Sequence, residues 1–343
     1  MQFPLQLVLC TLVRTVLVAG IALPLMVLLA SSVSSAADAA LKVVETDSVI
    51  TVKHGGKAVV TYNKVSPACP PGIDKVYERS GCLHPIRSPQ GRTVTQMFPA
   101  DHAHQHGVFS AWVNTTYDGK PVDFWNLAGR TGRVLHERVV STFEWADRAG
   151  FEVDLLHRAV TEPKVDVLRE RWKITAWPTD ETWHGFDLET TQTAITDKPL
   201  KINKHHYGGI ALRGPTRWLT DRDNYARENA DLAREPSDFL NDRGSARVEG
   251  NHQPAKWVAL TGHIEGKPVT IAVLCHPQNF RSPQAARLHP SKPYFCFTPC
   301  VDDAFQIDRN HPLKACYRYL VTDAEPNPQW LDEQWKAWVT DDT

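Results

Sequence analysis

Hydrophobic and polar residues alternate along most of the chain with the period of two that predicts β-strands. Two such runs, Ser48–Val52 and Lys57–Tyr62, flank a glycine turn and predict a hairpin. Four longer runs are separated by short segments of turn composition. They span residues 132–145, 150–160, 165–177 and 182–195. Successive strands joined by short turns predict an antiparallel meander.

The pattern changes after Leu219 and then returns to strands. Residues 220–251 are rich in charged and amide side chains, which predicts a surface excursion with one short helix near 224–234. Regular alternation resumes afterwards and predicts three more strands. These lie at 256–263, 268–275 and 313–322.

The chain ends in a helical pattern. Asn327 precedes Pro328, and tryptophans follow at helical spacings, which predicts a terminal helix with Asn327 as its N-cap. With so many strands and so little helix, we predict an all-β fold: a large antiparallel β-sandwich with a short C-terminal helix. One domain would cover residues 37–343.

The N-terminus carries a targeting pattern. An apolar run from Leu5 to Ala30 is followed by small residues at Ser34 and Ala36, which predicts a signal peptide over residues 1–36 with cleavage near Ala37. We therefore expect a periplasmic or secreted protein. The alternative is an uncleaved membrane anchor, because the run is long enough to span a bilayer. No later segment is apolar enough to span one, so we expect no other membrane contact.

The amino-acid composition limits the classes of binding partner and indicates the redox state of the cysteines. The net charge of −1 favours neither nucleic acid nor an acidic membrane surface. The 11 Trp, 12 Phe and 8 Tyr residues are enough both for a core and for stacking on sugars. Six cysteines follow the predicted signal segment, and in an exported protein they favour disulfides. The local pairs that we predict are Cys69 with Cys82, which flank a loop rich in Pro and Gly, and Cys296 with Cys300, which flank Phe-Thr-Pro.

A histidine-rich stretch, Phe98–Gly107, directly precedes a predicted buried strand at 108–113. His102, His104 and His106 occupy every second position, so an extended backbone would project them to one side. With Asp101 beside them, they could form an acid/base cluster or bind a divalent metal. The third possibility is a solvated polar loop.

Two further segments place polar side chains at predicted strand ends. Residues 204–213 contain His206 and Arg213 around two glycines, and residues 274–281 present His276, Asn279 and Arg281 after an apolar strand. A solvent-exposed rim or a hydrogen-bonded turn would explain each segment equally well. In the strand at 183–193, Asp187 and Glu189 share one side, which faces either solvent or a polar cleft. Signatures of serine hydrolases, nucleotide-binding folds and zincins are absent from the sequence.

Four motifs together resemble a bacterial family of unknown function that is called the PmoA family, or methane oxygenase PmoA. The motifs span residues 101–107, 122–126, 207–213 and 275–281. Family members often have His-Pro-His where this chain has His102-Ala-His104, and Arg is frequent at the position of His106. A methane monooxygenase membrane subunit needs several spanning helices, which conflicts with this sequence. The resemblance instead implies a carbohydrate context and a galactose-mutarotase-like supersandwich that uses histidines as acid and base.

The resulting hypothesis is a carbohydrate-active enzyme, an epimerase, lyase or hydrolase acting on a sugar or keto-sugar. His102, His104 and His276 would be catalytic, and these histidines, His206 and Arg281 would line one concavity. The candidate substrate-binding residues, two of which would orient imidazoles, are Asp101, His106, Asp123, Trp125, His206, Arg213, Asn279 and Arg281. One alternative is a metal-dependent hydrolase or oxygenase with His102 and His104 as ligands of a divalent metal. The other is a non-catalytic sugar-binding sandwich.

Overall fold

The structure is a computed structural model that describes residues 40–341. The predicted signal peptide, residues 1–36, and its cleavage point near Ala37 lie outside the described residues. Within residues 40–341, no helix combines the length and the apolar character that a membrane crossing requires.

The described residues form twenty strands, two α-helices and three short 3-10 helices. The strands are β1 (Leu41–Glu45), β2 (Val49–His54), β3 (Lys57–Asn63), β4 (Cys82–Ile86), β5 (Val108–Ala111), β6 (Thr115–Tyr117), β7 (Lys120–Val122), β8 (Gly132–Glu144), β9 (Ala149–Ala159), β10 (Val165–Ala176), β11 (Trp183–Ala194), β12 (Leu200–Ile202), β13 (Gly209–Arg213), β14 (Ser237–Asn241), β15 (Trp257–Ile264), β16 (Lys267–Cys275), β17 (Ala286–Leu288), β18 (Tyr294–Phe297), β19 (Phe305–Ile307) and β20 (Leu313–Thr322). The helices are α1 (Asn224–Glu228) and α2 (Pro328–Asp341), with 3-10 turns at Lys75–Tyr77, Leu127–Gly129 and Thr216–Trp218.

Most strands belong to two eight-stranded antiparallel sheets. The first sheet has the order β1-β2-β3-β4-β5-β13-β18-β17. The second has the order β14-β15-β16-β20-β11-β10-β9-β8. A third, four-stranded sheet has the order β19-β12-β6-β7.

The two large sheets pack face to face. Tyr62 of β3 contacts Phe151 of β9 and Trp172 of β10, with ring centroids 5.6 and 6.2 Å apart. At the other end, Trp112 Nε1 donates to Gln192 Oε1 of β11 at 2.7 Å. Aromatic side chains from both sheets therefore fill one shared core, and the predicted antiparallel sandwich is confirmed.

The predicted meander is confirmed as β8–β11, because the bounds of all four strands fall within two residues of the alternating runs. The last strand, β20, inserts between β11 and β16 and so joins the meander to the later hairpin. The N-cap prediction also holds: the backbone N–H of Trp330 donates to Asn327 Oδ1 at 3.1 Å. Helix α2 packs on the outer face of the second sheet through Leu331 and Trp338.

The predicted disulfides are wrong. Cys82 is buried on β4, whereas Cys69 lies in a loop where its Sγ contacts the Asp74 carbonyl at 3.5 Å. Cys296 lies on β18 beside the Tyr294 hydroxyl, while Cys300 Sγ lies 3.4 Å from Thr298 Oγ1 in the following turn. Closeness in sequence did not predict a disulfide here, because one cysteine of each pair lies on a strand and the other lies in a loop with its own contacts.

Candidate functional site

The histidine-rich stretch is a pair of turns, not an extended strand. The His102 N–H donates to the Pro99 carbonyl and the Gln105 N–H to the His102 carbonyl, both at 2.9 Å. The loop ends at Gly107, which has a φ of +60° and where a Cβ would lie 2.2 Å from the Leu83 carbonyl oxygen. Only glycine allows this close approach to β4.

These turns separate the three histidines. The rings of His102 and His104 remain neighbours, with centroids 5.2 Å apart. His106 instead points into the core, where its Nε2 donates to the Tyr77 carbonyl at 2.8 Å and its ring packs on Phe98. His106 is fully buried, so the structure corrects its prediction as a substrate-binding residue.

Asp101 is held by Arg213 of β13. The guanidinium donates to both carboxylate oxygens, at 2.9 and 2.7 Å, and also to Gln105 Oε1 at 2.9 Å. Its third nitrogen, Nε, donates to the Gly214 carbonyl at 3.0 Å. Because every nitrogen of this buried side chain has an internal partner, Arg213 positions Asp101 and is not available to bind substrate.

A second ion pair completes the charge balance. Lys292 is paired with Asp223, and its Nζ also lies 3.5 Å from Asp101 Oδ2. Two cations and two carboxylates thus alternate beneath the loop. Burial by itself would raise the pKa of Asp101, but Arg213, His102 and Lys292 outweigh it and hold that pKa well below its ordinary value. Asp101 is therefore a permanent carboxylate.

His102 lies on this carboxylate. Its Nδ1 is buried and lies 3.4 Å from Asp101 Oδ2, whereas its side chain as a whole is 34% exposed. The distance marks an electrostatic contact that aligns the ring without a short hydrogen bond. The exposed part of the side chain therefore lies away from Nδ1. Asp101 and His102 form a dyad of the kind that prepares an imidazole for proton transfer.

A histidine that the sequence analysis missed, His289, stands beside this dyad. The centroid of its ring is 6.3 Å from that of His102. Its Nδ1 accepts the backbone N–H groups of Ser291 and Lys292, at 3.2 and 3.1 Å, so the proton of the neutral ring is on Nε2. Burial, together with the neighbouring Arg287, Lys292 and His102, lowers the pKa of His289 to about 3. His289 is thus a neutral hydrogen-bond donor at physiological pH.

His104 is also neutral. Burial, and then the charges of His102 and Arg213, lower its pKa to about 3. A base with so low a pKa binds protons poorly near neutrality, so His104 is suited to hydrogen bonding more than to proton abstraction. Of the two histidines predicted to be catalytic in this loop, only His102 has a carboxylate partner.

Aromatic rings continue the surface from His289 towards His206. Tyr294 lies 5.9 Å from His289, and Tyr207 lies 6.5 Å from Tyr294 and 4.7 Å from His206, between ring centroids. Burial, followed by the neighbouring charges of His205 and Arg287, lowers the pKa of His206 to about 4. A chain of ring contacts therefore connects His206 with His289, which in turn neighbours His102. We call this surface the histidine face; its members are His102, His104, His206, Tyr207, Arg287 and His289.

Arg287 of β17 supplies the positive charge of the histidine face. One of its terminal nitrogens donates to Asn251 Oδ1 at 2.9 Å and to the Leu288 carbonyl at 3.1 Å. Its other terminal nitrogen makes no hydrogen bond to any described residue. Because Arg287 contributes to the pKa shifts of both His289 and His206, its charge acts on both ends of the surface.

His276 does not belong to the histidine face. It follows β16, and its ring packs on Trp338 of α2 at 4.9 Å between centroids, on the outer face of the second sheet. Phe295, the neighbour of Tyr294 on β18, contacts Phe239 of the second sheet, so Tyr294 and its register partner Arg213 lie on the outer face of the first sheet. His102 and His276 are therefore on opposite sides of the sandwich, and the prediction that they share a concavity is wrong.

Arg281 and Asn279 have structural roles. The Arg281 guanidinium donates to the carbonyls of Pro299, Asp303 and Ala304, at 2.6, 2.6 and 3.1 Å, and so holds the loop before β19. Asn279 donates to the Cys316 carbonyl at 2.9 Å and accepts the Cys316 N–H at 2.7 Å. Both side chains hydrogen-bond to backbone groups of neighbouring segments, which corrects their prediction as substrate-binding residues.

Asp123 and Trp125 lie beneath the histidine face and contribute to its packing. Asp123 Oδ1 accepts the backbone N–H groups of Trp125 and Asn126, both at 2.8 Å, so it shapes a turn and orients no imidazole. Trp125 is buried, and its ring contacts Tyr207 and Tyr294 at 5.1 and 5.8 Å between centroids. It is the packing layer beneath the surface and offers no open ring for stacking.

Residues 40–341 contain no group of three or more His, Cys, Asp or Glu side chains arranged to hold a metal ion. His102 and His104 are adjacent, but the carboxylate next to them, Asp101, already accepts from Arg213 through both of its oxygens.

Comparison with known proteins gives a family but no assigned activity. The profile of a family of unknown function, DUF6807, matches residues 49–336. No curated protein matches the sequence significantly.

Solved structures with partial similarity include a heparan sulfate lyase HepC mutant from Pedobacter heparinus, at 8% identity and a TM-score of 0.40 over 84% of this chain. The heparinase III-BT4657 gene product has 9% identity and a TM-score of 0.36 over 83%. A protein from the human microbiome assigned as a kojibiose phosphorylase has 9% identity and a TM-score of 0.32 over 82%. The chain spans 37%, 36% and 29% of the lengths of these three proteins.

Proposed function

Because this chain belongs to the DUF6807 family of unknown function, we propose its function from the chemistry of the histidine face: a carbohydrate-active enzyme that moves a proton at a carbon next to a carbonyl group, as sugar epimerases and lyases do. The observation that carries the proposal is the Asp101–His102 dyad. Asp101 is locked as a carboxylate against Arg213, and one of its oxygens lies 3.4 Å from His102 Nδ1. Nε2, the ring nitrogen that does not face Asp101, is then the atom that we propose meets a substrate.

In the proposed reaction His102 is the base. Its Nε2 takes the proton as the C–H bond breaks, and the electron pair moves to the carbonyl oxygen, giving an enolate. The Asp101 carboxylate stabilises the imidazolium that forms. Protonation of the enolate by water from the opposite face, with release of the proton on His102 to solvent, gives an epimer, and expelling a leaving group from the next carbon gives a lyase product.

The enolate oxygen needs hydrogen-bond donors that are already in place. Arg287 supplies a charged donor, and His289, whose Nδ1 is fixed by two backbone N–H groups, supplies a neutral one from Nε2. A neutral imidazole donor suits a developing oxyanion because donating to it needs no proton transfer. Tyr207 and His206 would contact the rest of the sugar through ring and hydroxyl interactions.

Glycoside hydrolysis fits the histidine face less well. That reaction ordinarily uses two carboxyl groups, one of them protonated as a general acid. The two carboxylates beneath the loop are Asp101 and Asp223, and each is bound to a cation. Their pKa values lie below the ordinary range despite burial, so neither is a proton donor near neutral pH. This favours an epimerase or lyase among the predicted activities.

Solvent exchange tests the proposal whichever product forms. Purified protein is incubated in D₂O with a panel of ketoses, keto-glycosides and neutral aldoses. Loss of the signal from the C–H group next to the carbonyl is followed by ¹H NMR. His102→Ala should slow exchange by about 10²–10⁴-fold, the usual contribution of a general base. His311→Ala is the matched control, because His311 is exposed and pairs only with Asp308 in its own turn.

Four results would count against the proposal. Equal exchange in wild type and His102→Ala would remove His102 from the reaction. Exchange lost in His276→Ala but kept in His102→Ala would move the chemistry to the other sheet. Exchange that needs added divalent metal would favour the metal-dependent alternative, and binding of a sugar without any exchange would favour a non-catalytic sugar-binding sandwich.

A further inference from the structure

A cleft of about 650 Å³, separate from the histidine face, lies on the outer face of the second sheet. Its floor is made by β10, β11 and β20, and its walls by the β8–β9 turn, the turn after β16 and helix α2. Its volume is in the range of small-molecule sites. We call it the tryptophan cleft, after Trp145, Trp177 and Trp338.

The charges in the tryptophan cleft cancel in pairs. Three ion pairs line it, and all have charged atoms 3.0 Å apart or closer. They are Arg148–Asp147, Lys173–Glu189 and Arg318–Asp187. The Arg318 pair is bidentate, with Nε to Oδ1 at 2.8 Å and Nη2 to Oδ2 at 2.9 Å. An anionic ligand would have to displace a carboxylate from each cation, whereas an uncharged hydroxyl can bond to the pairs as they are.

Aromatic side chains hold this floor rigid. The guanidinium of Arg318 lies 4.3 Å from the Trp177 ring and 4.9 Å from the Trp338 ring, so it is sandwiched between two indoles. Trp177 reaches this position because Gly185 leaves room for it. A Cβ on Gly185 would lie 2.6 Å from the Trp177 ring.

One aromatic ring of the cleft is open to solvent. Trp145, in the turn between β8 and β9, is 58% exposed; Phe143 packs against its ring at 4.8 Å between centroids, and the Arg148 guanidinium lies 5.7 Å from the ring centre. The floor also contains a polar atom without a partner: Thr175 Oγ1 is buried and has no hydrogen bond to any described residue. An open indole next to fixed donors and acceptors is the combination that binds a ring with apolar faces and hydroxyl edges.

We infer that the tryptophan cleft binds an uncharged oligosaccharide, with one sugar ring stacked on Trp145 and neighbouring hydroxyls bonded to the Asp187–Arg318 pair. The charge balance selects a neutral glycan over one made of uronates or sulfated sugars. The inference does not depend on the activity proposed for the histidine face, because the two surfaces lie on opposite sides of the sandwich. It predicts binding without chemistry.

Affinity electrophoresis tests this inference on the intact protein. Native gels contain a neutral polysaccharide, such as glucomannan, xyloglucan or mixed-linkage β-glucan, or an anionic one, polygalacturonate. The wild type should be retarded by at least one neutral polysaccharide, and Trp145→Ala should lose at least tenfold in affinity. Trp145→Phe, which keeps a ring, should recover part of it. Val65→Ala is the control, because Val65 is 56% exposed and lies outside the cleft.

Asp187→Asn gives an independent readout. It leaves the shape of the cleft but removes one charge, so it should weaken binding of the neutral glycan and create an unpaired cation that improves binding of polygalacturonate. Retardation that is the same in wild type, Trp145→Ala and Asp187→Asn would overturn the inference. So would wild-type retardation by polygalacturonate alone, or by none of the polysaccharides.

Discussion

Asp101 and Arg213 are 112 residues apart in the chain, yet they form a bidentate ion pair in which both side chains are completely buried. The pair ties the turn that carries His102 to the end of β13, and it fixes the carboxylate oxygen that faces the imidazole. The same contact therefore supports both the fold and the proposed chemistry.

Asp101→Asn should be strongly destabilising. The amide cannot neutralise Arg213, which would remain buried with an unpaired charge, and breaking a buried pair in this way costs about 3–5 kcal/mol. Urea unfolding followed by tryptophan fluorescence would measure the loss in the free energy of unfolding. Asp166→Asn is the matched control, because Asp166 and Arg158 form a bidentate pair that is about one-third exposed. A surface pair contributes about 1 kcal/mol or less. Equal losses in the two variants would contradict the role given to burial.

The sequence was sufficient for most of the fold because alternation of polar and apolar residues reports directly on a strand with one buried face. Strands β8–β11 and β20 each have ten or more residues, so their period stands out. Strands β17 and β18, which carry Arg287 and Tyr294, have only three and four residues. No period can be read from so short a segment, and these were missed.

The same difference explains the error at the site. His276 and His289 are each followed by proline at the end of a strand, so both meet the strand-exit argument. His276 follows the long apolar β16, which is recognisable as a strand from its sequence, whereas the three-residue β17 before His289 is too short to be recognised. The face of the sandwich that each strand end reaches depends on pairing between distant strands, which one sequence does not reveal. Asp101, His102, His104 and His206 were found because polar residues cluster locally around them.

Stability should fall as the pH drops from about 6.5 towards 4. In the unfolded chain a histidine has a pKa near 6.5, whereas in the folded chain the pKa values of His104 and His289 are lowered to about 3, chiefly by burial. Between these values the unfolded state binds more protons, so the free energy of unfolding decreases as the pH falls. Asp101 adds little above about pH 5, because the pKa of an unfolded Asp is near 3.9, and it deepens the decline only as the pH falls towards that value.

His289→Asn should make this decline shallower. The amide oxygen of Asn can accept the N–H groups of Ser291 and Lys292 in place of Nδ1, but it does not titrate. Removing one titrating group should reduce the slope by at most about 1.4 kcal/mol per pH unit. Urea unfolding at pH 8, 7, 6 and 5 measures it, and the value at pH 8 isolates the change in packing. An unchanged slope would mean that His289 is not held neutral in the folded protein.

The cysteines should behave as thiols with very different reactivity. Burial raises the pKa of Cys82 and Cys275 to about 12 and that of Cys296 to about 11, and the thiolate is the reactive form. Cys69 is only partly buried. In folded protein purified without reductant, iodoacetamide should label Cys69 first, and Cys82, Cys275 and Cys296 only after unfolding. Peptide mapping that finds Cys69 linked to Cys82, or Cys296 to Cys300, would contradict the structure.

Two arginines that stand close together in the sequence should separate stability from activity. Arg281→Met removes three hydrogen bonds to the carbonyls of residues 299, 303 and 304, so it should lower the free energy of unfolding by about 1–3 kcal/mol and leave proton exchange unchanged. Arg287→Met removes the charged donor of the histidine face, so it should slow exchange by about 10²–10³-fold.

The stability cost of Arg287→Met should be the smaller of the two, because the Asn251 amide oxygen that loses its donor is only partly buried, so that water can replace the donor. Unfolding and exchange are measured on both variants. Misfolding would lower stability and exchange together, so it cannot explain one variant that loses mainly stability and another that loses mainly exchange. Normal exchange in Arg287→Met would show that Arg287 does not stabilise the anion. Loss of exchange in Arg281→Met at full stability would place the anion-stabilising charge after β16 instead of on β17.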